Sequence, residues 1–498
     1  MSNSVNHRLL FIVERLSYIS TYKPYFNELN AREIEYDLIF GSSFSKDRIS
    51  LKKINETHET IKPVDIYFDN SFQEDPLVFR LITIVKDIRD IFIKRIVKQI
   101  KRNKIIRKII IVTRRRFRIF LGRPRRKDDG AKLQGLRLQG MVYDIKSLLY
   151  FKSYFKLQNQ NFKKMVSNHK YSHVVCATTV DGVALSAIKY RELYDYKIIC
   201  IPWCLANFIE TSVYYRNMDR QVISNIGRRL FAKIRPNYVR HNKSLGRDVL
   251  VNNAAESFAL AILGMEPENP GHLIGGYFDF AVAESKFVKE FYVKEGAKSQ
   301  KIFTLPTRDV SSIKMEKEII ERKLRSKYNI GVDRKISIIA VPRSDFLGSY
   351  FFQDTSLKKG FIKEIIEFLE ARNYFVLLSI HPDDTSEESQ YLQDYSRIIL
   401  PPNSLHEYVM GCEMFIAENS GTFRLSLGYF IKSVDLAFLT YSNNYYKESA
   451  NFYEIRKIEE LSSILEVAIA SGTKYNSEKK YILADKQNLA NRFLESVI

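Results

Sequence analysis

The sequence predicts an α/β fold: two Rossmann-like, doubly wound halves joined by one charged helix, with a basic helical insertion in the N-terminal half. Three observations predict it. Short apolar runs alternate with segments of helical period in two separate series along the chain. The apolar runs are continuous rather than alternating, as strands of a parallel sheet covered on both faces must be. The length, 498 residues, exceeds what one core holds, so two domains of roughly 150 to 250 residues are expected. The N-terminal unit is expected over 1–308 with its insertion at about 85–140, the C-terminal unit over 309–475, and a closing helix over 476–498.

The elements follow in order. Leu9 to Val13 reads as a strand, helically spaced Tyr22, Phe26 and Leu29 as a helix, and Tyr36 to Phe40 as a second strand closing on Gly41. Residues 71–120 turn helical and basic. The α/β pattern returns with a strand at Val174 to Ala177, a helix at Val183 to Leu193 and a strand at Lys197 to Pro202. "FDFAVAES" is a further strand, followed by a helix whose C-cap falls at Gly296. The charged segment from Ser311 to Tyr328 bridges to the second series. There "RKISIIAVP", "YFVLLSI", "RIIL" and "EMFIAE" are strands, and "LKKGFIKEIIEFLEARN", "SLHEYVMGC" and "GTFRLSLGYF" are helices. The last helix, about Ile482 to Val497, can cap either half. No repeat of 20 to 50 residues is present.

Composition excludes several classes. At 45% hydrophobic and 13% aromatic residues the chain can bury large cores, which argues against disorder. No stretch of about 18 uncharged apolar residues marks a transmembrane helix. The first apolar run is broken by Glu14 and Arg15 and is expected to be a strand, not a signal peptide. Cys176, Cys200, Cys204 and Cys412 are too few and scattered for a disulfide framework. They read as buried thiols in a reducing compartment, and no metal is expected.

The net charge of +21 is concentrated in one segment. Between Lys94 and Lys127 stand sixteen Lys or Arg and no Asp or Glu. Ile96, Ile100, Ile105 and Ile109 form an apolar stripe beside the cations, a pattern that lies on an anionic bilayer surface. Nucleic acid is the rival partner. No nucleic-acid-binding motif accompanies the segment, so a membrane surface is preferred.

In open α/β sheets ligands bind beyond the carboxyl ends of the strands. In the C-terminal half those positions hold Arg343 and Ser344, then His381 and Pro382, then Glu418, Asn419, Ser420, Gly421 and Thr422. A cation, an imidazole and a Ser-Gly-Thr turn feeding a helix form a cradle for a phosphate, with backbone N–H groups facing the anion. Taken singly each has a plainer reading, a strand terminator for His381-Pro382 and a helix cap for Asn419 to Thr422. On the N-terminal side Glu14, Arg15, Trp203, Asn207 and Glu210 follow strands and could line an acceptor; Trp203, the only tryptophan, can stack on a sugar face or pack in the core.

These segments resemble glycosyltransferases of the GT-B architecture, in the branch that includes the non-hydrolysing UDP-N-acetylglucosamine 2-epimerases and bacterial capsule or cell-wall polymer transferases. "FIVER", "VVCATTVDGVALSAIKY" with "KIICIP", "YFDFAVAESKFVKEFYVKEGAKSQKIFTLPT", and "LSIHPDD" with "FIAENSGTFRLSLGYFIKSVDL" carry the resemblance, which spans most of the chain outside 85–140. Two departures separate the chain from the epimerases. Thr179 stands where they carry a catalytic Asp, and Leu425 and Ser426 stand where they carry ribose-binding glutamates. Transfer is therefore preferred to epimerisation. Asp181-Gly182 is similar to the acidic-Gly motif of bacterial sialyltransferases, which implies Asp181 as the base and His381 and Ser420 as supports of the departing nucleotide; a plain helix start is the other reading of Asp181-Gly182.

The resemblance thus implies a glycosyltransferase of surface polysaccharide synthesis, using a UDP- or CMP-linked sugar and a glycan or lipid-linked acceptor. It would act without a further cofactor, peripherally on the cytoplasmic face of the plasma membrane. An epimerase of the same fold and a non-catalytic nucleic-acid-binding protein are the alternatives.

Overall fold

The computed structural model describes residues 8–14, 16–40, 66–68, 132–202, 222–223, 225–242, 247–251, 253–341, 355–380, 398–401, 405–418, 420–439, 444–475 and 478–497. The chain opens with β1 (Arg8–Val13), α1 (Leu16–Ala31), β2 (Glu35–Phe40) and β3 (Ile66–Phe68). It continues with α2 (Lys132–Asn168), β4 (His173–Cys176), α3 (Gly182–Tyr194), β5 (Lys197–Cys200) and α4 (Ile226–Ile234). Then come the antiparallel pair β6 (Val239–Asn242) and β7 (Arg247–Leu250), α5 (Ala254–Ile262), β8 (Phe280–Val282), α6 (Lys286–Lys294) and β9 (Ile302–Phe303). The first sheet is parallel throughout, in the order β3-β2-β1-β4-β5-β8-β9.

The connector α7 (Val310–Tyr328) leads into β10 (Lys335–Ala340), α8 (Thr355–Glu370), β11 (Tyr374–Ser379), β12 (Ile398–Ile399) and α9 (Leu405–Tyr408). β13 (Met414–Ala417), α10 (Phe423–Gly428), β14 (Lys432–Asp435), β15 (Phe452–Glu454), α11 (Leu461–Ala470) and α12 (Lys486–Val497) complete it. The second sheet is also parallel, in the order β12-β11-β10-β13-β14-β15. Both orders run outward in two directions from the first strand of the half. The expected two Rossmann-like, doubly wound halves are therefore what the strands build. Each sheet has one topological switch point, between β1 and β4 and between β10 and β13.

The central strands are buried on both faces, as their unbroken apolar runs require. Register at the amino edge of the first sheet is fixed by charge. Arg8 donates to both carboxylate oxygens of the fully buried Asp37, at 2.9 and 2.8 Å, and Tyr171 Oη donates to Asp37 Oδ2 at 2.6 Å. One core cluster runs through both halves, from Leu10 and Val174 to Ile336 and Phe415. At their junction Phe287 of α6 packs on Tyr446 and Tyr481, with ring centroids 5.5 and 4.6 Å apart.

Three elements settle or extend the sequence reading. Gly296 has φ +102°, the left-handed conformation expected of a residue just past a helix end. The closing helix α12 caps the N-terminal half, where Phe493 meets Tyr25 of α1 at 6.2 Å and Phe303 of β9 at 5.4 Å. The long helix α2 was not foreseen. It packs through Phe155 on Leu185 of α3 and Leu260 of α5, with Tyr150–Tyr154 and Phe151–Phe155 stacked one turn apart. The basic segment 94–127 lies outside the described residues.

Candidate functional site

At the N-terminal switch point the chain leaves β4 through a turn whose backbone is tied on every side. Thr178 Oγ1 accepts from Val180 N at 3.0 Å. Thr179, fully buried, donates its N–H to Leu273 O at 2.9 Å, and its hydroxyl accepts from Gly276 N at 2.8 Å. A Cβ on Gly276 would lie 2.0 Å from Thr179 O, so only glycine allows this approach. The Thr179 hydroxyl is thus spent on holding the turn.

The turn delivers Asp181 to the N-cap of α3 with extended backbone, φ −79° and ψ 156°. Its carboxylate does not cap its own helix. Glu14, the first residue beyond β1, takes that role, its Oε1 accepting from Val183 N at 3.2 Å. The Asp181 carboxylate instead faces the Tyr18 hydroxyl of α1, 3.4 Å away. From above, α2 presses on the turn: a Cβ at Gly182 would meet Gln158 Oε1 at 2.3 Å.

A further carboxylate, which sequence reasoning missed, stands beside Asp181. Glu256 lies in the first turn of α5, whose start is capped by the Asn253 side chain accepting from Ala255 N at 3.0 Å. Glu256 is half-buried by surface area, but its carboxyl is packed around by protein and has no hydrogen-bond or ion-pair partner among the described residues. Burial, and then the charge of Asp181, raise it to about 7. The only signal in the sequence is an Asn followed by an acid in a helix's first turn, in "NNAAES".

At the C-terminal switch point β13 is followed by the half-buried Glu418. Ser420 closes a tight turn, its Oγ accepting from Thr422 N at 3.1 Å and its carbonyl from Phe423 N at 3.2 Å. Thr422 is buried at the start of α10 and makes no side-chain cap. A Cβ at Gly421 would meet nothing within 4 Å, so a ligand can approach its backbone. Ser426 turns into the core, its hydroxyl 2.6 Å from that of Ser433. Arg424, on the same helix, reaches the other half: Nη1 lies 2.7 Å from Oε1 of Glu284, which follows β8. Arg15, Trp203, Asn207, Glu210, Arg343, Ser344, His381, Pro382 and Asn419 lie outside the described residues.

Cys176, Cys200 and Cys412 are buried free thiols, as expected; Cys204 lies outside the described residues. Among the described residues no group of three or more His, Cys, Asp or Glu is placed to hold a metal ion, and no helix is long and apolar enough to cross a membrane.

No protein-family profile matches the sequence, and no curated protein matches it. Among solved structures, the chain is similar to UDP-GlcNAc 2-epimerase from Methanocaldococcus jannaschii, with 11% identity, TM-score 0.47, and 98% of this chain and 99% of that one covered. It is similar to UDP-GlcNAc 2-epimerase from Neisseria meningitidis bound to UDP-GlcNAc, with 10% identity, TM-score 0.48 and 99% of each chain covered. CalG4, the calicheamicin glycosyltransferase, is similar at 9% identity and TM-score 0.47, covering 99% of this chain and 98% of its own. At these identities and scores the likeness does not bear on activity.

Proposed function

We propose that the chain is a glycosyltransferase that moves a sugar from a nucleotide-sugar donor to an acceptor hydroxyl. The observation that carries the reading is the buried Glu256 carboxyl within electrostatic reach of Asp181 at the N-terminal switch point. Burial first, and the charge of Asp181 second, keep a proton on Glu256 up to about 7, which lets the two carboxyl groups divide their roles near neutral pH. With a proton held on Glu256, Asp181 is the carboxylate that receives the acceptor O–H proton. The acceptor oxygen then bonds to the anomeric carbon, the bond from that carbon to the phosphate oxygen breaks, and its electron pair leaves with the nucleotide. The turn Ser420–Thr422, with Gly421 open to approach, supports the departing phosphate through the Gly421 backbone N–H, while the Thr422 and Phe423 N–H groups hold the turn by bonding to Ser420.

Arg343, Ser344, His381 and Pro382 remain part of this proposal as donor contacts, with Arg15, Trp203 and Asn207 on the acceptor side. Their positions after predicted strands support it. The donor is a UDP- or CMP-linked sugar and the acceptor a glycan or lipid-linked chain of a surface polysaccharide. The cationic segment 94–127 supports work at the cytoplasmic face of an anionic membrane. Thermal shift of the folded chain with UDP, CDP, CMP, GDP, ADP and TDP tests the donor class. One nucleotide is expected to stabilise the wild type and to do so less in Ser420→Ala and His381→Ala. Stabilisation by none of them would overturn the reading.

A further inference from the structure

The junction of the two halves holds a cavity that the reading above does not use. It is a small cleft of about 40 Å³ that opens to solvent. Its polar lining comes from both halves and the closing helix: Thr21 and Tyr25 of α1, Glu284 after β8, Tyr292 of α6, Arg424 of α10 and Lys486 of α12. Two cations and three hydroxyls therefore face one carboxylate.

That carboxylate is poorly matched to its partner. The Arg424 guanidinium and the Glu284 carboxylate approach to 2.7 Å, with about a fifth of each side chain exposed. Yet the buried Glu284 Oε1 receives no aligned hydrogen bond. The pair is held by charge without the fork geometry that makes arginine–carboxylate contacts strong. Lys486 has no ion-pair partner among the described residues. The two cations reach further than the cavity wall, since both lower the pKa of His406 after burial does, while Glu284 raises it.

We propose that this cavity is an anion subsite, in which Arg424 and Lys486 take a phosphate or carboxylate group of the substrate and Glu284 holds Arg424 until that group arrives. An anion with several acceptor oxygens can align with the guanidinium where Glu284 does not, and the Tyr25 hydroxyl can donate to a remaining oxygen. Because the lining spans both halves, its arrival exchanges a tie between the halves for a bridge through the ligand. The identity of the anion rests on the nucleotide-sugar reading; the site itself does not.

The test uses the full chain with inorganic pyrophosphate and, separately, D-glucuronate, measured by calorimetry at constant ionic strength. Pyrophosphate reports a nucleotide-type diphosphate, and glucuronate a carboxylated sugar. At least one is expected to bind, about tenfold or more weaker in Arg424→Gln and Lys486→Gln. Glu284→Gln is expected to bind it tighter, a gain that a folding defect cannot imitate. In the wild type the His406 imidazole, followed by NMR, is expected to titrate at higher pH once the anion is bound. Binding of neither anion, or equal binding by all variants as expected of the cationic segment 94–127, would overturn the subsite. Nucleotide stabilisation lost in Ser420→Ala but unchanged in Arg424→Gln would leave the donor reading standing without it.

Discussion

The first sheet brings Glu14, Asp181 and Glu256 around the start of α3, whereas the second, with the same outward strand order, brings Ser420, Gly421 and Thr422 around the start of α10 with Arg424 one turn on. One topology thus offers a concentration of carboxylates at one switch point and an open backbone with a cation at the other. Glu418 keeps the second from being wholly free of acid. The strand order only fixes where side chains emerge, and the few residues after β4 and β13 decide what charge each edge presents.

The sharpest way to break the comparison is at Asp181. Asp181→Asn removes the proposed proton acceptor while preserving shape, and is expected to cost about 10²–10⁴-fold in transfer rate with nucleotide affinity unchanged. Steady-state rates and nucleotide titration, measured together, check it. A loss of nucleotide affinity of equal size would instead place Asp181 in donor binding.

Glu256→Gln is expected to slow transfer less, and to flatten the limb of the pH–rate profile near 7. The same substitution has a stability signature. The raised carboxyl holds its proton more tightly folded than unfolded, so wild-type stability falls as pH rises from the ordinary carboxylate range through about 7. Thermal unfolding of Glu256→Gln is expected to match the wild type near pH 4 and to exceed it at pH 8.

Two substitutions probe the turn that aims Asp181. Gly276→Ala forces a methyl against Thr179 O and is expected to destabilise by about 1–3 kcal/mol or more. Thr179→Val leaves the Gly276 N–H without its acceptor, at about 1–3 kcal/mol. The double variant is expected to lose less than the sum, since both break one contact. On the other side, Ser420→Ala removes one partly buried turn contact and is expected to cost only about 0.5–1.5 kcal/mol in denaturant unfolding.

Much of this arrangement is legible in the sequence. Unbroken apolar runs such as "RLLFIV" and "MFIA" announce doubly covered strands, and both came out parallel and buried. Asp181 and the Ser420–Thr422 turn were legible because they directly follow such strands. Glu256 was not, because it reaches the site from a helix more than seventy residues beyond Asp181, and nothing local signals that approach. The Thr178–Asp181 turn depends on Leu273 and Gly276 in the same way. The long α2 escaped because only a sparse set of its aromatics faces the core while the rest of "KLQNQNFKK" is polar. Arg424 went unremarked because its partner Glu284 lies in the other half.

The most direct test of the account is nucleotide release from the donor that thermal shift selects, followed with and without a glycan acceptor. The account predicts release that depends on the acceptor in the wild type and falls by orders of magnitude in Asp181→Asn, with donor binding intact. Release or isomerisation of the donor that proceeds equally without acceptor, or that Asp181→Asn leaves unchanged, would contradict it.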